Sequence, residues 1–182
     1  MFRIFGLTKN GLVLFGVLLS ILCGRGQVER TGDYLQIALP VAAFACSVSN
    51  GEALNTFLRF VLVEGVVHGT KRGLDAAPIN HRPGGGLQGF PSGHTAAATF
   101  GVSSLVNSCV KKNPWVQGAV ILSGGYVGAS RIEVGAHFLF QVVAGALLGW
   151  LGERSSMLFR ILRIVTLRRY RQFARRLILT RL

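Results

Sequence analysis

Three short stretches hold the side chains able to do chemistry. The first runs from Lys71 and Arg72 to His81, Arg82 and Pro83. The second reads Phe90-Pro91-Ser92-Gly93-His94-Thr95, and the third holds Ser130, Arg131, His137 and Gln141. In the second, Pro91 is pre-set for the first turn of a helix and gives up no needed N–H. The amides of Ser92, Gly93 and His94 then face an anion at the positive end of that helix. Ser92 adds a hydroxyl, Gly93 permits close approach, and His94 adds a titratable group. In the third, His137 and Gln141 are four residues apart and share a helix face. A glutamine carbonyl there accepts the Nδ1–H of His137 and leaves Nε2 as a nucleophilic nitrogen. Lys71, Arg82 and Arg131 supply three positive groups for three phosphoryl oxygens, and charge neutralisation of that kind is the main demand of phosphoryl transfer.

Apolar stretches must position these segments. Six are visible, at about 11–23, 35–49, 53–70, 93–110, 115–129 and 137–152. Half of the 182 residues are hydrophobic and mean hydropathy is +0.46. Some stretches fall short of the roughly 20 residues of a perpendicular span, and 11–23 has the length of a signal-peptide core. The expected architecture is an all-α, six-span transmembrane bundle, with residues 1–152 as one domain. Gly124/Gly128 and Gly145/Gly149 are G-x-x-x-G pairs that let membrane helices approach closely. Residues 153–182 form the second unit, a tail whose arginines alternate with apolar residues, as in a basic amphipathic helix on an anionic leaflet.

The charge balance is strongly basic, with 20 Lys and Arg against 7 Asp and Glu. Nucleic acid is the first thought for such a balance, but nine of the twenty cations are arginines beyond position 152. Arg3, Lys9, Lys111, Lys112 and that tail fall on one side of the six spans, so the positive-inside rule puts both termini in the cytoplasm. The three reactive segments then face the periplasm or the outside, and the membrane, not nucleic acid, is the partner. Cys23, Cys46 and Cys109 read as small buried hydrophobes. No Cys/His or carboxylate cluster asks for a metal, and nothing asks for a cofactor. His68, His81, Asp75 and Glu133 lie near the segments without a slot in them.

The three segments resemble the signature of the type 2 phosphatidic acid phosphatase (PAP2) superfamily, in its bacterial membrane lipid phosphatase branch. That signature reads K-x6-RP, then PSGH, then SR-x5-H-x3-D. The resemblance implies that His137 is a nucleophile forming a phosphohistidine and that His94 protonates the leaving group. It also implies that Lys71, Arg82, Ser92, Gly93 and Arg131 bind phosphate, without a metal. Two positions depart from the pattern. Ten residues separate Lys71 from Arg82, so Arg72 competes with Lys71 for the first slot, and Gln141 stands where the pattern has Asp. Glutamine stabilises a charged or phosphorylated His137 less than a carboxylate does, so Gln141→Asp is expected to keep or raise activity.

The expected function is therefore an integral membrane lipid phosphate or diphosphate phosphatase of the bacterial inner membrane. Lipid A 1-phosphate, undecaprenyl diphosphate and phosphatidylglycerophosphate are the substrates the resemblance suggests. A lipid phosphotransferase and a catalytically weakened lipid-binding or transport protein are the alternatives. The sequence leaves the acceptor, the lipid and the oligomeric state open.

Overall fold

The computed structural model describes residues 25–155. The first apolar stretch, 11–23, and the basic tail from 156 onward lie outside the described residues. Within them the chain is all-helical. Helix α1 spans Arg25–Ser49, α2 Ala53–Leu74, α3 Gly93–Ser104 and α4 Pro114–Glu133. A further helix, α5, covers 139–155. A 3-10 turn at Pro78–Asn80 breaks the long α2–α3 connection, and a π-helical turn at Leu105–Cys109 extends α3.

Helix α3 is the axis of the bundle. Its residues Thr95 to Ala98 and Phe100 to Ser104 are all buried. The sequence allows this because small side chains dominate the helix, so neighbours come close from every side. Residues of α1 and α4 pack on one flank, where Leu39, Ala98, Val102, Val120 and Val127 form a core. On another, Val63 and Val67 of α2 meet Ala96 and Phe100, with Phe60 and Leu148 at the margin. The glycine pairs explain how tightly the remaining helices sit. A methyl group on Gly145 or Gly149 would collide with the backbone of Ser92 or Ala96, and one on Gly124 or Gly128 with Val102 or Val142. Gly101 likewise meets the α1 backbone at Leu39–Pro40.

Several boundaries differ from the sequence expectation. Helix α1 is already helical over the described residues before the apolar stretch at 35, from Arg25 on, with Gly32 buried and Asp33 half-buried. Helix α4 continues to Glu133, so Arg131 sits in its last turn and not in a connecting segment. Helix α5 begins at 139 and runs past 152, with Glu153 buried. Pro91 is not the first helical residue. It follows a cis peptide bond from Phe90, and Ser92 is the N-cap. Among the described residues, no helix is long and apolar enough to cross a membrane.

The end of the bundle away from the reactive segments is held by polar contacts. Arg59 of α2 bonds the backbone carbonyl and the carboxylate of Glu153 on α5. Glu153 also accepts from Ser103 at 3.1 Å and Asn107 at 2.9 Å. Such a pair holds its geometry because its remaining lone pairs are satisfied. Cys46 and Cys109 are joined there as a disulfide linking α1 to the π turn, with Cα atoms 6.3 Å apart. This corrects the reading of those two cysteines as free hydrophobes. Their spacing of 63 residues gave no signal in the sequence.

Candidate active site

The opposite end gathers all three segments. They come from the end of α2 and the loop after it, the start of α3, and the end of α4 with the loop before α5.

His137 lies in that last loop and is buried. Its Nδ1 is 3.2 Å from Gln141 Oε1. The same oxygen accepts the backbone N–H of Phe138 at 3.2 Å. Phe138 and Gln141 thus form the glutamine half of a capping box at the start of α5, and that cap fixes the ring. Gln141 is wholly buried, and its Nε2 donates to the carbonyls of Ile79 at 3.1 Å and His81 at 2.7 Å. One side chain therefore orients the histidine and pins the loop that carries Arg82. Burial lowers the His137 pKa to about 4. The Gln141 hydrogen bond opposes the shift, Arg82 and Lys71 reinforce it, and a hydrogen bond with the Gly89 backbone opposes it. The imidazole is neutral at neutral pH.

Helix α3 begins beneath this ring. The N–H of Ser92 donates to Gln141 O at 3.0 Å, which ties α3 to α5. Its hydroxyl caps Thr95 N and lies 3.0 Å from Thr95 Oγ1, and the residue is fully buried. Ser92 is thus an interior N-cap, and the helix amides left for an anion are those of Gly93 and His94 rather than the three expected. Gly93 sits against Lys71, whose Nζ would lie 3.9 Å from a Cβ there. Lys71, Gly93 and His94 line one cavity, whereas Arg72 is exposed. Lys71, and not Arg72, thus shares a cavity with Gly93 and His94. Lys71 is within electrostatic reach of both histidines.

Arg82 stands on a tight turn in which Gly85 N bonds Arg82 O and Arg82 N bonds Gly86 O. One guanidinium nitrogen reaches Gln88 O at 3.5 Å, while the buried Nε has no partner among the described residues. A buried donor without a partner is costly. Arg131 is buried and differently engaged. It donates to Asp33 Oδ1 at 2.9 Å, to Glu29 O at 3.0 Å and to Ser130 Oγ at 3.2 Å. Three of its five N–H groups are used in this way, which leaves two for an anion.

Asp33, Asn80 and Gly89 are absent from the sequence expectation. Asp33 of α1 joins Arg131 to His94, whose Nε2 is 3.3 Å away. Its signal was there: it is one of seven acids in a basic chain. Asn80 is wholly buried and donates to the carbonyls of Lys71 at 2.9 Å and Asp75 at 2.7 Å. Its Oδ1 accepts Phe90 N at 3.1 Å, and its backbone carbonyl accepts Gly89 N. This residue folds the ten-residue connection so that Lys71 and Arg82 meet the same site. Gly89 touches Gln141, where a Cβ would lie 2.5 Å from Nε2. His81 is exposed and contributes only its carbonyl.

Searches among curated proteins and solved structures give no match. The family model of the PAP2 superfamily matches residues 70–163, half of the chain, and that span holds every expected site residue. The chain therefore belongs to the PAP2 superfamily, whose members are phosphatases, and is a phosphatase-type phosphoester hydrolase.

Proposed function

We propose that this hydrolase is a bacterial membrane enzyme acting on a lipid phosphate or diphosphate through a phosphohistidine. One observation carries the lipid reading. A cavity of about 700 Å³ opens from Lys71, Gly93 and His94 and runs between α1, α2 and α3, with Ile37, Pro40, Val41, Phe44, Phe57 and Phe60 along it. A phosphate held at its cationic mouth would lay an attached hydrocarbon chain along apolar walls. The volume is within the range of about 300–1,000 Å³ usual for ligand sites.

The membrane reading has separate support. Large apolar side chains are exposed along the helices, among them Leu54, Leu58, Leu122, Leu139, Leu147 and Leu151. Exposed apolar surface on this scale marks contact with lipid or another protein. The charges inside the bundle, such as Arg59 and Glu153, are paired, as charged residues within membrane bundles generally are. The positive-inside argument from the sequence sets the orientation, with the site on the outer side and both termini in the cytoplasm.

In the proposed reaction, Lys71, Arg82, the two remaining Arg131 donors and the Gly93 and His94 amides bind the phosphoryl oxygens. The Nε2 lone pair of His137 attacks phosphorus, and an N–P bond forms as the P–O bond to the lipid breaks. His94 gives its proton to the leaving oxygen. With Nε2 facing Asp33, Nδ1 is the ring nitrogen that meets that oxygen. A water, deprotonated by His94, then attacks phosphorus and the N–P bond breaks to release phosphate. The test is phosphate release from lipid phosphates in detergent, with protein quenched in alkaline detergent probed for an acid-labile, alkali-stable phosphoryl group. Its absence in wild type under turnover, or its presence in His137→Ala, would overturn the mechanism.

A further inference from the structure

The end of the bundle away from the histidines holds a second cavity, of about 410 Å³, and every residue lining it is polar or charged. Arg59 and Glu153 on its wall satisfy each other, and Ser103 and Asn107 complete the Glu153 carboxylate. Two further charges line it, Glu52 and Lys111. They lie in the turns that join α1 to α2 and the π turn to α4. Glu52 accepts a hydrogen bond from Asn55 at 3.0 Å. Among the described residues, neither Glu52 nor Lys111 has an ion-pair partner. One carboxylate and one cation thus border the same polar space without pairing.

This polar cavity meets the apolar one. Thr56 is buried and lines both. Beyond it, Phe44 and Phe57 bridge α1 and α2 with ring centroids 6.4 Å apart, and both line the apolar cavity. Thr56 and Lys71 are fifteen positions apart on α2, which is about 22 Å along its axis. The apolar cavity therefore runs from the reactive end to the polar cavity at the other. A head with one charge of each sign and a long hydrocarbon chain matches this pair of cavities. A simple anion would meet Glu52 and Glu153, and a simple cation would meet Lys111 and Arg59. A zwitterion pairs with the two free charges and leaves the Arg59–Glu153 pair intact.

Resting on the membrane and lipid reading above, we infer that this end binds a zwitterionic phospholipid from the leaflet remote from the chemistry. Its phosphodiester pairs with Lys111 and its ammonium with Glu52, and a chain enters the apolar cavity past Thr56. The phosphate is held at the far end of the cavity from Lys71 and His94, so this lipid is a bound ligand and not a substrate. Exposed ion pairs are weak singly. The chain therefore supplies most of the binding, and the two charges select the head.

The experiment titrates the delipidated full chain in detergent and follows its thermal stability. The probes are a lysophospholipid with a phosphoethanolamine head, one of the same chain with a phosphoglycerol head, and phosphoethanolamine alone. Wild type should bind the first lipid about three- to tenfold more tightly than the second, as two exposed pairs allow. In Glu52→Gln that ratio should fall to near one, and in Lys111→Gln both lipids should weaken. Both variants change exposed residues, and each should release phosphate from a water-soluble ester within about twofold of wild type. Equal affinity of wild type for the two lipids, or a ratio kept in Glu52→Gln, would overturn the inference. So would binding of phosphoethanolamine alone as tight as that of the lipid, which would make the ligand a soluble zwitterion. Turnover of lipid phosphates with equal affinities for the two probes would sink this inference alone. Turnover of water-soluble esters only, with neither lipid bound, would sink the lipid reading and this inference with it.

Discussion

The carboxylate of Asp33 lies 3.3 Å from His94 Nε2, and the same oxygen lies 2.9 Å from Arg131. The first helix of the described bundle thus supplies a positioning group for the proposed acid. Asp33→Asn should lower kcat by about 10- to 100-fold, a fraction of what general acid catalysis contributes. The loss should shrink with a substrate whose leaving group is a good one, such as a nitrophenol, because that oxygen needs no proton. A loss equal on both leaving groups would show that Asp33 acts through Arg131 and phosphate binding instead.

Four histidines are present, and two fit the site. His137→Ala and His94→Ala should each abolish phosphate release, while His68→Ala and His81→Ala should keep most of it. His81 is exposed and gives only a backbone carbonyl. Turnover in the His137→Ala protein at the wild-type rate would remove the nucleophile from the proposal.

Burial holds the His137 imidazole well below the usual histidine range, at about 4. The neutral nucleophile is present above that pH and is lost as pH falls through it. In a His68→Ala/His81→Ala background, one labelled imidazole should titrate with a midpoint near 4 by NMR, and its signal should vanish in His137→Ala. A midpoint near 6.5 would show that the ring is not desolvated as the geometry requires.

Gln141 is where sequence and structure part most usefully. From the sequence it reads as a weaker aspartate, so restoring the acid is expected to keep or raise activity. In the structure its Nε2 donates to Ile79 O and His81 O, which a carboxylate cannot do. The shorter Asp would also leave the Phe138 cap. Gln141→Asp should therefore lower both the melting temperature and kcat, since each buried group left unpaired costs about 1–3 kcal/mol. Gln141→Leu should be at least as damaging. An Asp variant as fast and as stable as wild type would restore the simpler reading.

The same contrast shows what the sequence could reveal. Residues of the three segments are legible because the proposed chemistry restricts them to a few types at fixed spacing. Lys71, Arg82, Ser92, His94, Arg131, His137 and Gln141 were all visible in that way, and so were the apolar helices that carry them. Two residues that arrange those groups, Asn80 and Asp33, were not. Asn80 bonds backbone carbonyls, a task many sequences solve differently, and it lies in a stretch with no periodic pattern. Asp33 sits 61 positions before His94, so only folding shows that the two meet. The polar turns of α1 before residue 35 were hidden for the same reason, because an apolar count cannot see the helix that carries Asp33 to the site. The early end assigned to α4 reflects the same limit, since Arg131 is polar yet helical and buried.

Chelation and vanadate test the expected absence of a metal. Among the described residues, no three His, Cys, Asp or Glu side chains gather as a metal-binding group. Activity should survive EDTA, and vanadate should inhibit by occupying the phosphoryl position between His137 and the cations. Activity lost in EDTA and restored by Mg²⁺ or Zn²⁺ would require a different mechanism.

In the proposed membrane reading, topology decides which leaflet supplies the lipid, and two features of the chain argue for opposite sides. The proposed orientation, from the positive-inside count, has Lys111 and Lys112, at the end remote from the site, on the cytoplasmic side. The Cys46–Cys109 disulfide is at that same end, and disulfides persist mainly in oxidising compartments. The charge argument draws on eleven cations and the disulfide on one bond, and the redox state of the two cysteines in the cell decides between them. If the charge-based orientation holds, cells quenched with an alkylating reagent before lysis should yield protein with both cysteines modified. In a background without the three native cysteines, a membrane-impermeant thiol reagent applied from outside should label a Gly85→Cys variant and spare Asn113→Cys. A disulfide already formed at the moment of quenching, with labelling at 113 rather than 85, would invert the chain and move the chemistry to the inner leaflet.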